Sequence, residues 1–500
     1  MFISNGCSSI RRAGLPSAKA TSRSRRGTER RGPFAQSLGS KKSIGGTMKL
    51  KISATLAAAI LFAALAVSAG LRAQDNPASP PTHYRVVDLG TLGGLVSAGN
   101  AINNIGWVTG FSIDSSGVLL ATLWHNGLQI SLGTLGGPSS DVAWPVKNNF
   151  GLISGVTENG VHDPLNENFS CPAFGLVSGN SCVAFAWQGG RMTQLPGLGG
   201  KNSIGAGDNN LGQIVGWAEK SVYDSTCAPP SPGATQFLQF EATFWQRDWS
   251  GHWHVRELPP FPGDPDGAAT AINDLGQAVG ISGQCDVAIG AYTAIHALLW
   301  ENGKPIDLGN LGGHGWNTPG AINNRGVIAG FANGPNDVIG GQLQFRFLAF
   351  IWTKEHGMQG LGTLTGDAMS EATDINDENQ IVGVSFSDFF FDNPRAFIYE
   401  NGTMTALNSL IGSASANWDI SSTGGINDRG EIAAQANLVS NGVVTGVAHA
   451  VLLVPCDPGD PVAYGDTQQV IIPDAVQQRI RQHVNIGRFR LPLEKPLEKE

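Results

Sequence analysis

A short phrase recurs seven times along this 500-residue chain, and it constrains the fold more than any other feature of the sequence. In the first copy, residues 101–106 read AINNIG, and six of the seven copies end in Gly. Neighbouring copies lie 45 to 64 residues apart, so a fixed structural unit repeats with insertions of variable length. We predict structural turns at the repeated asparagines, which are Asn103, Asn148, Asn209, Asn273, Asn323, Asn376 and Asn427.

Each repeat contains four short runs that are typical of β-strands. An alternating run ends in the Asn phrase, and a second run such as GQIVG at 212–216 follows it. The third run is apolar and ends in an aromatic residue, as in ATLW at 121–124, and the fourth ends in a phrase such as DLG at 88–90. Asn-Gly and Asp-x-x-Gly turns between the runs predict hairpins, because these residues tolerate positive φ.

Radial stacking of four-stranded units of about 40 to 50 residues is typical of β-propellers. The last repeat ends after its third strand, at 448–455, whereas the first strand of the chain, at 84–90, is an unattached fourth strand. The sequence therefore predicts an all-β, seven-bladed β-propeller over residues 84–455, with its ring closed by the N-terminal strand. The alternative fold is a β-solenoid, which would not need this exchange of end strands.

The repeats resemble the HAF-type extracellular repeat of predicted secreted bacterial proteins. The shared pattern is IN-x-x-G-x-x-x-G, then a segment like HAFLW, then DLGTLGG. His296 and His449 occupy the histidine position of that pattern, whereas Glu241 and Arg395 replace the histidine in two other repeats. The resemblance implies export and a repeat architecture, and it supplies no catalytic residue.

The N-terminal region predicts export. Residues 48–73 have two lysines, a long apolar run and small residues suited to cleavage, as in a secretory signal peptide; the alternative is a retained membrane anchor. Residues 1–47 form a basic low-complexity segment, for which a start codon assigned too early is the simplest interpretation, so that the segment is not translated. A chain cleaved near Gln74 would keep 19 of the 32 lysines and arginines, but 39 of the 40 aspartates and glutamates.

A net charge of about −20 for that chain disfavours nucleic acid or an anionic membrane as the main partner. We therefore expect a secreted, periplasmic or cell-surface protein, monomeric, with a carbohydrate or an envelope or extracellular protein as its partner. After the repeats, residues 456–500 predict a C-terminal tail with a short amphipathic helix.

Cysteine positions predict disulfides, since an exported chain can oxidise its thiols. Cys171 and Cys182 bracket a Gly/Ser-rich stretch and are the first expected pair. Cys227 and Cys285 lie in equivalent insertions of neighbouring repeats and offer a second pair, which leaves Cys456 over.

Motifs for cofactors and nucleophiles are weak. The glycines of LGTLGG precede a strand rather than the helix that a dinucleotide site needs, and we expect no cofactor. The sequence also lacks a Gly-x-Ser-x-Gly elbow with identifiable partners. Asp264 and Asp266, in Gly-Asp-Pro-Asp-Gly, are weak candidates for metal ligands, and a turn is the alternative.

The strand order places the long insertions between second and third strands on one face of the ring. We call this the insertion face; its segments are 156–183, 217–241, 281–296, 331–348 and 384–395. Variable loops on a rigid scaffold favour binding, and aromatic side chains beside carboxylates suit sugar rings or a protein partner. The candidate binding residues are Trp217, Tyr223, Asp224, Asp388, Phe389 and Phe390.

These observations predict a secreted, non-enzymatic protein that binds a carbohydrate or protein ligand through the insertion face. One alternative is a hydrolase or lyase acting on polysaccharide, with acids of the same loops as catalysts, and another is a structural envelope protein. Alternatively, the aromatic residues do not bind a ligand but fold over the blade tops and cover the core. A convergent acid pair would favour the enzyme.

Overall fold

The computed structural model describes residues 82–456 and 472, apart from 166, 168–170, 228–235, 286–293, 340–341, 344–345, 390 and 413–414. The basic segment 1–47, the predicted signal peptide 48–73 and nearly all of the tail 457–500 lie outside the described residues.

The described chain is built from antiparallel strands in four-stranded sets, which we call blades. The N-terminal strand is β1 (Tyr84–Gly90). The first blade consists of β2 (Gly93–Ile102), β3 (Val108–Asp114), β4 (Leu119–His125) and β5 (Leu128–Ser131). The second consists of β6 (Ser140–Asp141), β7 (Leu152–His162), β8 (Asn180–Gln188) and β9 (Arg191–Gln194). The third consists of β10 (Gly199–Asp208), β11 (Ile214–Tyr223), β12 (Leu238–Arg247) and β13 (Trp253–Leu258).

The remaining blades follow the same order. The fourth consists of β14 (Asp266–Ile272), β15 (Ala278–Gly283), β16 (Ala294–Glu301) and β17 (Lys304–Asp307). The fifth contains β18 (Thr318–Ile322), β19 (Ile328–Asn333), β22 (Phe347–Thr353) and β23 (Gly357–Gly362), with the small hairpin β20 (Val338–Ile339) and β21 (Gln342–Leu343) in its insertion. The sixth consists of β24 (Met369–Ile375), β25 (Ile381–Phe386), β26 (Arg395–Glu400) and β27 (Thr403–Ala406). The seventh has β28 (Trp418–Ile426), β29 (Ile432–Ser440) and β30 (Val443–Pro455), and two 3-10 turns lie at Pro172–Phe174 and Leu407–Ser409.

The N-terminal strand completes the last blade. Strand β1 pairs antiparallel with β30, from Tyr84 opposite Pro455 to Gly90 opposite Ala450. The predicted β-propeller fold is therefore confirmed, and the first and last strands of the repeat region close it. A solenoid is excluded, because its ends would not meet.

A ring of asparagine side chains connects the blades at the ends of their innermost strands. The Nδ2 of each repeated asparagine donates to the backbone carbonyl of the next one, over 2.7–3.1 Å, and Asn427 donates back to Asn103. The Oδ1 of the same side chain accepts from amides of its own turn, as Asn323 does from Arg325 and Val327. Each asparagine thus joins its turn to the next blade.

Six blades have a glycine at the centre of their second strand, because the backbone of the first strand packs closely against it. A Cβ built at these positions would lie 2.0–2.4 Å from a carbonyl oxygen of the first strand, which no side chain tolerates. The glycine of the Asn turn has a separate cause, because its φ is positive, as at Gly276 (+75°). The six second-strand glycines are Gly110, Gly155, Gly216, Gly280, Gly330 and Gly383.

The hydrophobic core lies between neighbouring blades. Leu123 of the first blade packs with Ile153 and Phe185 of the second, and Leu299 of the fourth packs with Phe350 of the fifth. This arrangement buries the apolar third strands that the sequence pattern identifies, so each blade depends on its neighbours for burial.

Both predicted disulfides are present. Cys171 is bonded to Cys182 within the second-blade insertion, and Cys227 is bonded to Cys285 between the third and fourth. Cys456, which the sequence leaves over, is also disulfide-bonded. These bonds indicate an oxidising compartment. No helix among the described residues is long and apolar enough to cross a membrane.

Removing residues 84–90 tests the closure of the ring. Without β1, the long strand β30 loses its outer partner, and the pocket of Tyr84 (1% exposed) is emptied. We expect the free energy of unfolding to fall by at least about 3 kcal/mol, from lost burial and unpaired backbone groups. Urea titration of this variant, beside a chain that starts at Thr82, measures the loss. Equal stability of the two chains would contradict closure by β1.

Candidate functional site

The insertion face carries an unusual group of buried acids over the second, third and fourth blades. Among the described residues, these acids surround the start of β12, at 236–241, and only Lys220 neutralises one of them through an ion pair. The group, which we call the acid cluster, consists of Asp163, Glu167, Glu219, Asp224, Glu241 and Asp266.

Two aspartates of the acid cluster interact with each other. Asp224 follows β11 and Asp266 begins β14, and Asp224 is close enough to raise the pKa of Asp266. Asp224 Oδ1 accepts from the backbone amide and the hydroxyl of Thr226, both at 2.8 Å, and Asp266 Oδ1 accepts from the amide of Phe240 at 2.8 Å. These bonds fix both carboxyl groups, which are only 5% and 2% exposed.

Burial raises the pKa of Asp266 to about 9, and the hydrogen bond to Asp224 and the charges of Asp224 and Glu241 add to this effect. At neutral pH this shift favours the protonated form of Asp266. Two neighbouring carboxyl groups repel each other when both are ionised, and one proton between them removes that repulsion.

Glu241 lies beside this pair and receives a 3.3 Å ion pair from Lys220. Burial raises the pKa of Glu241 to about 7, while the positive charge of Lys220 opposes the rise. Glu241 can thus change its protonation near neutral pH, a property required of a general acid or base.

Glu167 and Glu219 form the other side of the acid cluster. Glu167 Oε1 accepts from the amides of Phe237 and Leu238, at 2.8 and 3.0 Å, and burial followed by the charge of Glu219 raises its pKa to about 8. Glu219 is held by Asn202, whose Nδ2 donates at 2.8 Å, and burial raises its pKa as well. The segment 236–241 therefore links two regions of protonatable carboxyl groups.

The sequence-predicted binding residues do not form an aromatic platform. Trp217 is wrong as a binding residue, because it is fully buried against Trp144 and Phe174. Tyr223 is exposed (62%), so it lies at the rim of the acid cluster, beside Asp224.

The loop at 384–395 also packs inward. Arg346 lies over the ring of Phe389, with its Cζ 4.5 Å from the centroid, and Phe391 is buried in the core. Asp388 Oδ1 accepts from the amide of Asp392 at 3.2 Å, which closes the loop on itself. Phe390 lies outside the described residues.

The metal interpretation of Asp264 and Asp266 is not supported, because the two side chains have different partners. Asp264 accepts from Ser282 at 2.5 Å and contacts His296 Nδ1 at 2.8 Å, whereas Asp266 accepts from the amide of Phe240 at 2.8 Å. In the described part of the chain, the single three-residue group with metal-ligand atoms close together is Asp224 with Cys227 and Cys285, whose sulfurs are joined in the disulfide.

The histidine position of the repeat serves a structural contact. His449 Nδ1 lies 2.9 Å from Asp88, and Arg395, which replaces the histidine in the sixth blade, lies 2.7 Å from Asp367. The Arg395–Asp367 and His296–Asp264 pairs join a third strand to the connection between blades, whereas the His449–Asp88 pair joins β30 to its neighbour β1.

The opposite face, which carries the Asn turns, surrounds a narrow channel. Lys147 projects into it and donates to Asp374 at 2.5 Å and to the carbonyl of Ile426 at 2.8 Å. Asp208 accepts from the amides of Lys147 and Asn148, and burial raises its pKa to about 7. The mouth holds only about 50 Å³, enough for a few water molecules.

No family model and no curated protein matches this chain. Among solved structures, it is similar to the β-propeller domain of the Trilobed protease from Pyrococcus furiosus (10% identity, TM-score 0.40, 79% of this chain and 99% of that one). It is also similar to Pyrococcus horikoshii acylaminoacyl peptidase, with 11% identity and a TM-score of 0.39 over 73% of this chain and 53% of that one. A third similar structure is a Mycobacterium tuberculosis puromycin-hydrolyzing peptidase, with 11% identity and a TM-score of 0.32 over 71% of this chain and 57% of that one. This chain thus spans little more than half of the two longer peptidases.

These similarities, at such low identity, concern the fold. The expectation of a non-enzymatic binder with an aromatic stacking surface is wrong on the structure itself, because Trp217 is buried and the insertion face gathers buried carboxyl groups instead.

Sequence reasoning identified Asp224 and Asp266 for other roles and missed their contact. The predicted Cys227–Cys285 bond was the available signal, since it brings the two insertions together three residues from Asp224. Glu219 and Glu241 follow or lie within apolar runs of β11 and β12, which is the signal that could have identified them as buried acids.

Protonated Asp266 makes stability depend on pH. Its pKa is about 9 in the folded protein but about 3.9 in an unfolded chain, so the folded state retains the proton longer. The stabilisation that Asp266 gives the folded state is fully present below about pH 4 and is lost as the pH rises toward 9. Over that range the free energy of unfolding falls by at most about 1.4 kcal/mol per pH unit. Urea titrations between about pH 5 and pH 9 should show a shallower fall for Asp266→Asn. An unchanged slope would mean that another group holds the proton.

Proposed function

We propose that this chain is an exported hydrolase that cleaves peptide bonds with water activated between Asp224 and Asp266. The observation that carries the proposal is that Asp224 and Asp266 are both buried and each held by a backbone amide, with the pKa of Asp266 raised beside Asp224. One carboxylate and one carboxylic acid side by side supply a base and an acid at the same pH.

The chemistry balances within the pair. A water molecule gives a proton to the Asp224 carboxylate while its oxygen bonds to the peptide carbonyl carbon, and Asp266 gives its proton to the carbonyl oxygen. The C–N bond then breaks, the leaving nitrogen takes the proton from Asp224, and the hydroxyl of the intermediate returns a proton to Asp266.

The interaction between the two carboxyl groups favours this chemistry over glycoside hydrolysis. Glycosidases hold their two carboxyl groups apart, at about 5 to 5.5 Å, or at about 6.5 to 9.5 Å when water attacks directly. Two aspartates that share one proton are the arrangement of peptide-hydrolysing dyads, and the raised pKa of Asp266 beside Asp224 fits that arrangement.

Access to the pair involves the exposed rim at Tyr223. Asp224 presents only 5% of its surface to solvent, so substrate binding requires side chains above the pair to move aside. Export is part of the proposal and is supported by the disulfides and by the signal-like segment 48–73. An extracellular or envelope protein is then the substrate, and the chain is a divergent member of the HAF repeat family.

Asn substitutions test the proposal. We expect Asp224→Asn and Asp266→Asn each to lower kcat/KM on a fluorogenic peptide library by at least about 100-fold, since each removes one proton-transfer group. Wild-type activity should decline above about pH 9, where Asp266 loses its proton.

Asp419→Asn is the matched control. Burial raises the pKa of Asp419 too, but this residue lies in the seventh blade and bonds to Asn408 and Asn437. Its substitution should leave kcat/KM unchanged. Peptide hydrolysis that survives in both dyad variants would refute the proposal, and dyad-dependent cleavage of polysaccharide would reassign the substrate.

A further inference from the structure

A second site lies on the face that carries the Asn turns and goes beyond the proposed hydrolase. A groove of about 380 Å³ runs between the third and fourth blades. Its volume falls within the range of about 300 to 1,000 Å³ that small-molecule sites occupy. The groove is lined by Gln213, Phe244, Arg256, Leu275, Gln277 and Glu301.

Arg256 is the principal charged group of this groove. It lies on β13 opposite Phe244 of β12, with its Cζ 3.9 Å from the ring centroid. Within the described part of the chain, no carboxylate approaches it within 4 Å and no acceptor bonds to its guanidinium. The Arg256 side chain is exposed on this face and only partial burial lowers its pKa, so its N–H groups are open to an anionic ligand.

Gln213 supplies a second donor. Its Oε1 accepts from Asn209 Nδ2 at 2.8 Å, which orients the amide, and its Nε2 has no acceptor among the described residues. The guanidinium and this amide therefore offer N–H groups to the same groove. Asn209 belongs to the asparagine ring, so the scaffold itself positions Gln213.

Glu301 limits the charge of the ligand. Its Oε1 is fixed by Gln277 Nε2 at 2.9 Å, and it remains in the groove as a negative charge and a hydrogen-bond acceptor. A doubly charged anion would be repelled by it, whereas a carboxylate with nearby hydroxyl groups would find both a cation and an acceptor. The planar guanidinium also matches a carboxylate through two parallel hydrogen bonds.

We propose that the groove between the third and fourth blades binds a small hydroxylated carboxylate, with the carboxylate on Arg256. Glu301 accepts a hydroxyl hydrogen of the ligand, and Gln213 donates to its oxygens.

Glucuronate, glucose and inorganic phosphate are the probes, because the two sugars share a ring and differ in the carboxylate. We expect calorimetry of the full exported chain to show binding of glucuronate, at least tenfold weaker binding of glucose and phosphate, and weakening with added salt. Arg256→Gln should reduce glucuronate affinity at least tenfold, and Arg256→Lys should reduce it less, since Lys keeps the charge but not the planar fork.

Arg247→Gln is the matched control, since Arg247 also stacks on an aromatic ring, at 4.5 Å from Trp253, but donates to Gln188. It should bind glucuronate as the parent does, and circular dichroism confirms that each variant is folded. Equal binding of glucose and glucuronate, tighter binding of phosphate, or an equal loss in Arg247→Gln would overturn the proposal. Asp224→Asn should leave this binding intact, which separates it from the peptidase proposal.

Discussion

The structure depends on one repeated hydrogen bond, from an asparagine amide to the backbone carbonyl of the next blade's asparagine. Its last member joins Asn427 to Asn103, 324 residues apart, so the ring has no end. A second ring lies beside it, in which the backbone amide of each following residue, such as Asp274, donates to the side chain of the next, here Asn324 Oδ1 at 2.9 Å. Each bond contributes only about 1 kcal/mol, but leaving its buried partners unpaired would cost more.

This ring explains why function is carried by other parts of the chain. The polar groups of the repeats hydrogen-bond to neighbouring repeats, and their apolar strands are buried between blades. The insertions are free of that requirement, and those of the second and third blades hold the acid cluster together with Asp266 at the start of β14. Keeping Asp266 protonated and Glu167 in apolar surroundings costs stability, a cost that functional sites commonly impose on a stable scaffold.

The features that could be predicted from the sequence are those that the repeats specify. Seven copies with a missing last strand determine the propeller and its closure, and cysteines in equivalent insertions give the second disulfide. The asparagines were predicted as turns, but their bonds to the next blade could not be read from spacing. Trp217 was misassigned because β11 continues through Tyr223, which keeps Trp217 within a core-facing strand.

Asp264 and Asp266 failed as a pair for a related reason. They are two residues apart, but Asp266 already belongs to β14 and lies near Asp224, while Asp264 lies in the preceding connection and bonds to Ser282. The Asp224–Asp266 interaction joins the insertion of the third blade to the first strand of the fourth, and no local pattern encodes it.

Asp266, buried beside Asp224, should carry a proton at neutral pH. Infrared spectroscopy measures this directly, because a neutral carboxylic acid absorbs apart from a carboxylate. We predict a carboxylic-acid band at pH 7 that weakens in Asp266→Asn, is altered in Asp224→Asn and is titrated away near pH 9. An identical band in parent and Asp266→Asn would contradict it.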